Sequence, residues 1–291
     1  MSRIAPLTGA MGLVLYSNIS TVIKMYREKK IYSGPILEAE IYPVYENGRK
    51  MPSGKGVSSE AQKRLNEKNA RKKLVRLINT NFGEGDLAVT LTYCDGQMPS
   101  SEQEVKKHVV NYIRRLRVRA KRQGEEIKYV YVIECQVSRR TGLARWHVHM
   151  ILSSMDREAV ESAWPYGNWT NTKRLQPNEK GLEAIANYLS KDPRGSKRWA
   201  QSKNLKKPIE KLSKPGKITR LGARRMATTY ADDAAYFERR YRGYRFLSCE
   251  VAWNDINANW YIYITMRRLE GENNGVHTGD KSKKTISRSN Q

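Results

Sequence analysis

Several kinds of residue are scarce in this 291-residue chain, and each shortage closes off a class of protein. Cysteine occurs three times, at Cys94, Cys135 and Cys249, with no Cys-x-x-Cys pair. That spacing excludes a disulfide framework and a zinc knuckle and fits a reducing cytoplasm. Long apolar runs are missing. The stretch from Ile4 to Ile23 is interrupted by Pro6, Gly9, Gly12, Ser17 and Asn18, too broken for a spanning helix, and has no clear cleavage site for a secretory signal. No glycine-rich loop ending in Lys-Ser/Thr is present, so no fused helicase is expected. Histidine occurs only four times, so any two that fall together carry weight.

Acidic residues are few as well: 29 against 54 lysines and arginines, a net charge of +25. Such a balance costs self-repulsion unless a polyanion compensates it, and nucleic acid is the usual compensator. An anionic membrane surface is the competing partner, but it calls for an amphipathic anchor or lipidation signal, and none is evident. Hydrophobic residues at 39% are enough for a core, so a soluble globular protein is expected, with no membrane partner.

Residues 58 to 79 predict a helix, capped at Ser58 or Ser59, with an apolar stripe at Leu65, Ala70, Leu74, Leu77 and Ile78. Leu87-Ala-Val-Thr-Leu-Thr-Tyr93 reads as a strand and Glu102 to Arg122 as a helix ending before Gly124. Lys128 to Gln136 and Arg145 to Leu152 read as strands of an antiparallel hairpin. A helix follows near Asp156, then a short strand over Trp164 to Trp169, then a helix from Glu179 to Ser190. Ala231 to Arg242 looks helical, and Arg245 to Val251 and Trp260 to Leu269 look like strands. The order implies an α+β fold: a central antiparallel sheet with helices packed on one face, plus a small carboxyl-terminal α/β extension. The divisions are 1–57, an amino-terminal extension; 58–208, the main domain; 209–270, a basic carboxyl-terminal subdomain; and 271–291, a polar tail expected to be disordered.

Trp146-His-Val-His-Met-Ile-Leu152 is the sharpest signal. Side chains alternate along a strand, so His147 and His149 share a face as potential ligands for a divalent metal. Glu134, across the hairpin, adds a carboxylate, and Gln136 shares its face as ligand or support. The plain alternative is two histidines on an exposed sheet face and a solvated strand end. Ile185-Ala-Asn-Tyr-Leu-Ser-Lys191 places Tyr188 and Lys191 one turn apart, where the lysine can assist a phenolate nucleophile. Seventeen tyrosines occur, so this motif is weak alone. From Arg194 to Arg225 there are twelve lysines and arginines and one acid. Arg194, Lys197, Arg198, Trp199, Lys203, Lys206 and Lys207 combine phosphate-binding charge with a stacking ring. Arg115 and Arg119, on the basic 102–122 helix, are further DNA-binding candidates. A solvated basic surface is the alternative.

In this order the motifs resemble the HUH endonucleases, and among them the rolling-circle replication initiator (Rep) proteins of phages, plasmids and integrative elements. A hydrophobic-Thr strand is matched by residues 87–92, His-hydrophobic-His by 147–149, and a tyrosine helix with a following lysine by Tyr188 and Lys191. The resemblance covers residues 58–208, making this the nickase domain. It implies an RNA-recognition-motif-like fold and metal-dependent, site-specific cleavage of one DNA strand. Mg²⁺ or Mn²⁺ would sit on His147, His149 and Glu134. Tyr188 would become linked to a 5′ phosphate and free a 3′-OH primer. Single-stranded or hairpin origin DNA, a host helicase and a host polymerase are the implied partners. Ala184, Ile185 and Asp192 flank Tyr188 one turn away, so the two-tyrosine pattern is absent. A single-tyrosine transposase or relaxase, a hydrolytic metal phosphoesterase, and a non-enzymatic DNA-binding protein are the alternatives.

Overall fold

The computed structural model describes residues 23–45, 60–137, 142–167, 170–190, 198–255 and 258–270. The expected caps at Ser58 and Ser59 and the tail 271–291 lie outside these residues. The described chain is α+β, built on two five-stranded antiparallel sheets. In chain order the elements are β1 (Ile23–Ser33), β2 (Ile36–Tyr45), α1 (Glu60–Asn81), β3 (Leu87–Leu91), α2 (Glu102–Arg122), β4 (Tyr129–Val137) and β5 (Ala144–Leu152). Then come α3 (Arg157–Ser162), β6 (Thr170–Arg174), α4 (Glu183–Leu189), β7 (Ala200–Gln201), β8 (Ile209–Leu212), α5 (Arg220–Thr228), α6 (Ala234–Arg240), β9 (Tyr244–Asn254) and β10 (Asn259–Arg268). Among them no helix is long and apolar enough to cross a membrane.

One sheet, the histidine sheet, runs β6-β3-β5-β4-β7. Its alternation decides what covers each face. Leu87, Val89, Leu91, Val148, Met150 and Leu152 point to one side and bury against Val105, Val109, Tyr112 and Leu116 of α2. Val130, Val132 and Ile151 point to the other and bury against Leu74, Leu77 and Ile78 of α1 and Ala186 and Leu189 of α4. The antiparallel α+β class is as expected, but helices lie on both faces rather than one. The reason is visible in Tyr129-Val-Tyr-Val-Ile133, an unbroken apolar run of the kind that a strand covered on both sides carries. The short strand expected at 164–169 falls instead at Thr170–Arg174. Trp164 turns inward, its indole Nε1 donating to the Thr92 carbonyl at 2.7 Å.

The other sheet, the outer sheet, runs β8-β1-β2-β10-β9 and joins residues 23–45 to strands near the carboxyl end. Tyr26, Ala39, Ile41, Ile262, Ile264 and Met266 bury against Ala223, Met226 and Phe237 of α5 and α6. Its opposite face meets α1, where Arg76 donates to both Glu38 and Glu40 of β2. Lys72 lies over the Tyr263 ring of β10 at 4.7 Å. Helix α1 is therefore a shared layer, apolar toward the histidine sheet and charged toward the outer sheet. Leu65, read as part of its apolar stripe, is 49% exposed, because the first turns of α1 project past the core.

Asn79, near the end of α1, is the junction of three segments. Gly34 of the β1–β2 turn has φ +57°, and a Cβ there would meet the Asn79 carbonyl oxygen at 2.0 Å. Gly181, before α4, has φ +70° and approaches the Asn79 side chain so closely that a Cβ would stand 2.5 Å from Oδ1. Only glycine meets both demands at once.

Candidate functional site

Where α1 and α4 stop covering the histidine sheet, its polar residues begin. His147 pairs across β4–β5 with Glu134, and His149 with Val132 on one side and Thr90 on the other. The His147 and His149 rings lie nearly parallel, 14° apart, with centroids separated by 6.5 Å. His149 Nε2 is 3.0 Å from a Glu134 carboxylate oxygen, and the other carboxylate oxygen accepts from Gln136 Nε2 at 3.0 Å. Thr90 Oγ1 is 3.2 Å from His149 Nδ1. With Nε2 donating to the carboxylate, Nδ1 accepts from Thr90; the hydroxyl can equally accept from Nδ1 in the other tautomer. Thr90 thus fixes the ring without fixing its proton, a role that its place in a hydrophobic-Thr strand does not by itself disclose.

His147 is partly buried, and its buried Nδ1 has no well-aligned partner. Burial, and next the neighbouring His149, push its pKa below the ordinary histidine value, so the ring is neutral at neutral pH. Neutral imidazoles are the form that ligates metal. Two such rings beside a carboxylate fit a divalent ion in kind. They are not a ready cage: among the described residues no three His, Cys, Asp or Glu side chains are gathered at metal-holding distances. The Glu134–His149 hydrogen bond would have to be exchanged for metal bonds.

Helix α4 brings in the tyrosine. Its amino-terminal residue Leu182 donates its amide to Asn79 Oδ1 at 2.7 Å, and Ala186 and Leu189 are buried against α1. Tyr188, one residue out of that seam, is 55% exposed and stands edge-on to His149, centroids 5.1 Å apart at 80°. Residues distant in sequence therefore converge: Thr90, Glu134, His147, His149 and Tyr188.

Other residues singled out from sequence fall elsewhere. Lys191, Arg194 and Lys197 lie outside the described residues. Arg198, Lys203, Lys206 and Lys207 are exposed, and Trp199 is partly buried with its Nε1 donating to Gln201 at 2.9 Å. Trp199 and Lys207 line a groove of about 960 Å³ together with Lys68, Lys72 and Lys73 of α1. Arg115 and Arg119 are on α2, across the sheet from Tyr188. Arg115 donates to the Ala163 carbonyl at 3.2 Å, and Arg119 to the Ala159 carbonyl and Ser162 Oγ, so both hold α3.

No curated protein and no solved structure matches the chain. Residues 86–193, which contain the converging residues, match the family model of the replication-associated protein ORF2, and over that segment the protein is similar to the rolling-circle replication initiators.

Proposed function

We propose that the protein nicks one strand of origin DNA with Tyr188 as nucleophile. The observation that carries this reading is the contact of Tyr188 with His149, whose strand also presents His147 opposite Glu134. The tyrosine hydroxyl, exposed on α4, attacks the scissile phosphorus. A P–O(Tyr) bond forms as the P–O3′ bond breaks, and the leaving oxygen takes up a proton to become the 3′-OH primer. The 5′ side stays on the protein as a phosphotyrosine. His147, His149 and Glu134, with Gln136 in support, would hold Mg²⁺ or Mn²⁺, which when bound polarises the phosphate. Thr90 orients His149, and Asn79 sets the position of α4. Lys191, one turn beyond Tyr188, is proposed to stabilise the phenolate.

The lysine-lined groove at Trp199 and Lys207 gives the single strand a path, with lysines for phosphates and an indole edge for a base. Host helicase and polymerase would then extend the primer. Incubating the protein and Tyr188→Phe with end-labelled single-stranded DNA and Mn²⁺, followed by a denaturing gel, tests this. Label retained on the wild-type protein alone supports the tyrosine nucleophile. Cleavage without retained label, equal in both proteins, would replace it with hydrolysis by activated water.

A further inference from the structure

On the outer sheet, the face that packs against α5 and α6 continues past the end of the helical cover. Trp260 follows Met266, Ile264 and Ile262 along β10 on that face and is half-covered. Directly across from it in register stands Trp253 of β9, 45% exposed. The two indoles lie 4.8 Å apart, tilted by 58°. Trp260 is anchored from below, its amide donating to Tyr26 Oη at 3.2 Å, while Tyr26 donates to Asn259. The first turns of α5 close the other side with Arg220, Leu221 and Arg224, forming a hollow of about 570 Å³. Leu221 is 57% exposed, and both arginines are exposed. Neither guanidinium has a hydrogen-bond or ion-pair partner among the described residues.

A solvent-facing tryptophan pair is unfavourable in an isolated monomer, and two unpaired guanidiniums beside it point to an anion. A ligand that is flat and apolar on its faces and negatively charged along its edge satisfies both. We infer that this hollow binds an unpaired nucleobase of single-stranded DNA, stacked on Trp253 with its flanking phosphates on Arg220 and Arg224. Stacking on an indole is sequence-tolerant, and arginine serves both phosphate and π-face. A duplex does not fit this recognition, because its bases are already stacked on one another. The site lies on the outer sheet, outside the matched segment 86–193, and does not depend on the nicking reaction.

The test uses the full chain carrying Tyr188→Phe, so that cleavage plays no part, and measures anisotropy of a labelled thymidine oligonucleotide. Trp253→Ala is expected to weaken binding roughly 5- to 150-fold, the loss of one stacked base. Arg224→Glu, at an exposed helix position that leaves the core alone, is expected to weaken it too. Arg220→Ala and Arg224→Ala should each lower the slope of log affinity against log salt by about 0.7. Affinity for a duplex should stay as it was. Unchanged single-strand binding in both Trp253→Ala and Arg224→Glu overturns the assignment, as does an equal loss for duplex and single strand. Because no adduct is scored, loss of the nucleophile reading leaves these outcomes intact.

Discussion

Asn79 of α1 accepts a 2.7 Å hydrogen bond through Oδ1 from the amide of Leu182, the residue that opens α4. Asn79 is 4% exposed, and its bond ties the helix bearing Tyr188 to the shared layer of the molecule. Asn79→Ala leaves a buried amide unsatisfied, at a cost of about 1–3 kcal/mol. The expected outcome is a lower yield of covalent DNA adduct with oligonucleotide affinity retained. Equal loss of both would mean that Asn79 only supports the fold.

Thr90→Val keeps the shape of the side chain and removes its hydroxyl. If His149 ligates a metal, losing its outer hydrogen bond should weaken Mn²⁺ binding about 10- to 100-fold by titration calorimetry. His147→Ala should abolish it, and chelation of the metal should stop adduct formation in the wild type. Equal Mn²⁺ affinity in all three proteins would remove the metal from the site.

Arg119→Ala discriminates structure from binding. Its guanidinium holds α3 through Ala159 and Ser162. Thermal stability should fall by about 1.5 kcal/mol, the low end for a charged hydrogen bond because the arginine is only half-buried. Single-strand affinity at fixed salt should not change. A reduced salt slope with unchanged stability would return Arg119 to the DNA surface.

Acid should weaken the outer sheet through Glu28, which is 2% exposed. Burial raises its pKa, but the 2.7 Å hydrogen bond from Tyr241 and the charges of Arg240 and Lys30 outweigh that and leave it below the ordinary 4.5. A depressed carboxylate pKa means that the stabilisation is complete above the unfolded value and is lost as pH falls through the folded one. Melting temperature should therefore drop below about pH 4.3 more steeply in the wild type than in Glu28→Gln. Parallel curves there would contradict the assignment.

Arg76→Met tests the seam between α1 and the outer sheet. The arginine is 15% exposed and serves two carboxylates, Glu38 and Glu40. Removing it strands both, and the loss should approach the lower end of about 3–5 kcal/mol. Adding Glu38→Gln and Glu40→Gln should recover part of it. No recovery would show that packing rather than charge holds the seam.

The helices and strands with strong periodicity were legible from sequence because burial on a face imposes its period directly. Helix α2 and the β4–β5 hairpin fall within a residue or so of expectation. His147 and His149 were legible together because two residues apart on a strand means one face. What brings Tyr188 to them was not, since the α4 position depends on Asn79, more than a hundred residues earlier. Arg119 looked like one more cation of a basic stripe; only the fold shows that a carbonyl lies within its reach. The partnership of residues 23–45 with β10 was also hidden, because strand pairing between distant segments leaves no local pattern.

That partnership has a consequence for how the chain assembles. Ile41 of β2 finds its neighbour in Ile262 of β10, and everything in the histidine sheet is encoded between them. During synthesis β3 through β7 emerge, and can close upon α1, α2 and α4, while β1 and β2 still wait for β9 and β10. Until then the hairpin has one long edge unpaired, with Ile36, Leu37 and Ile41 exposed to any other strand. The slow step of folding is thus the closing of the outer sheet over a finished inner one, and a ribosome-stalled chain ending near residue 240 is the species most prone to self-association.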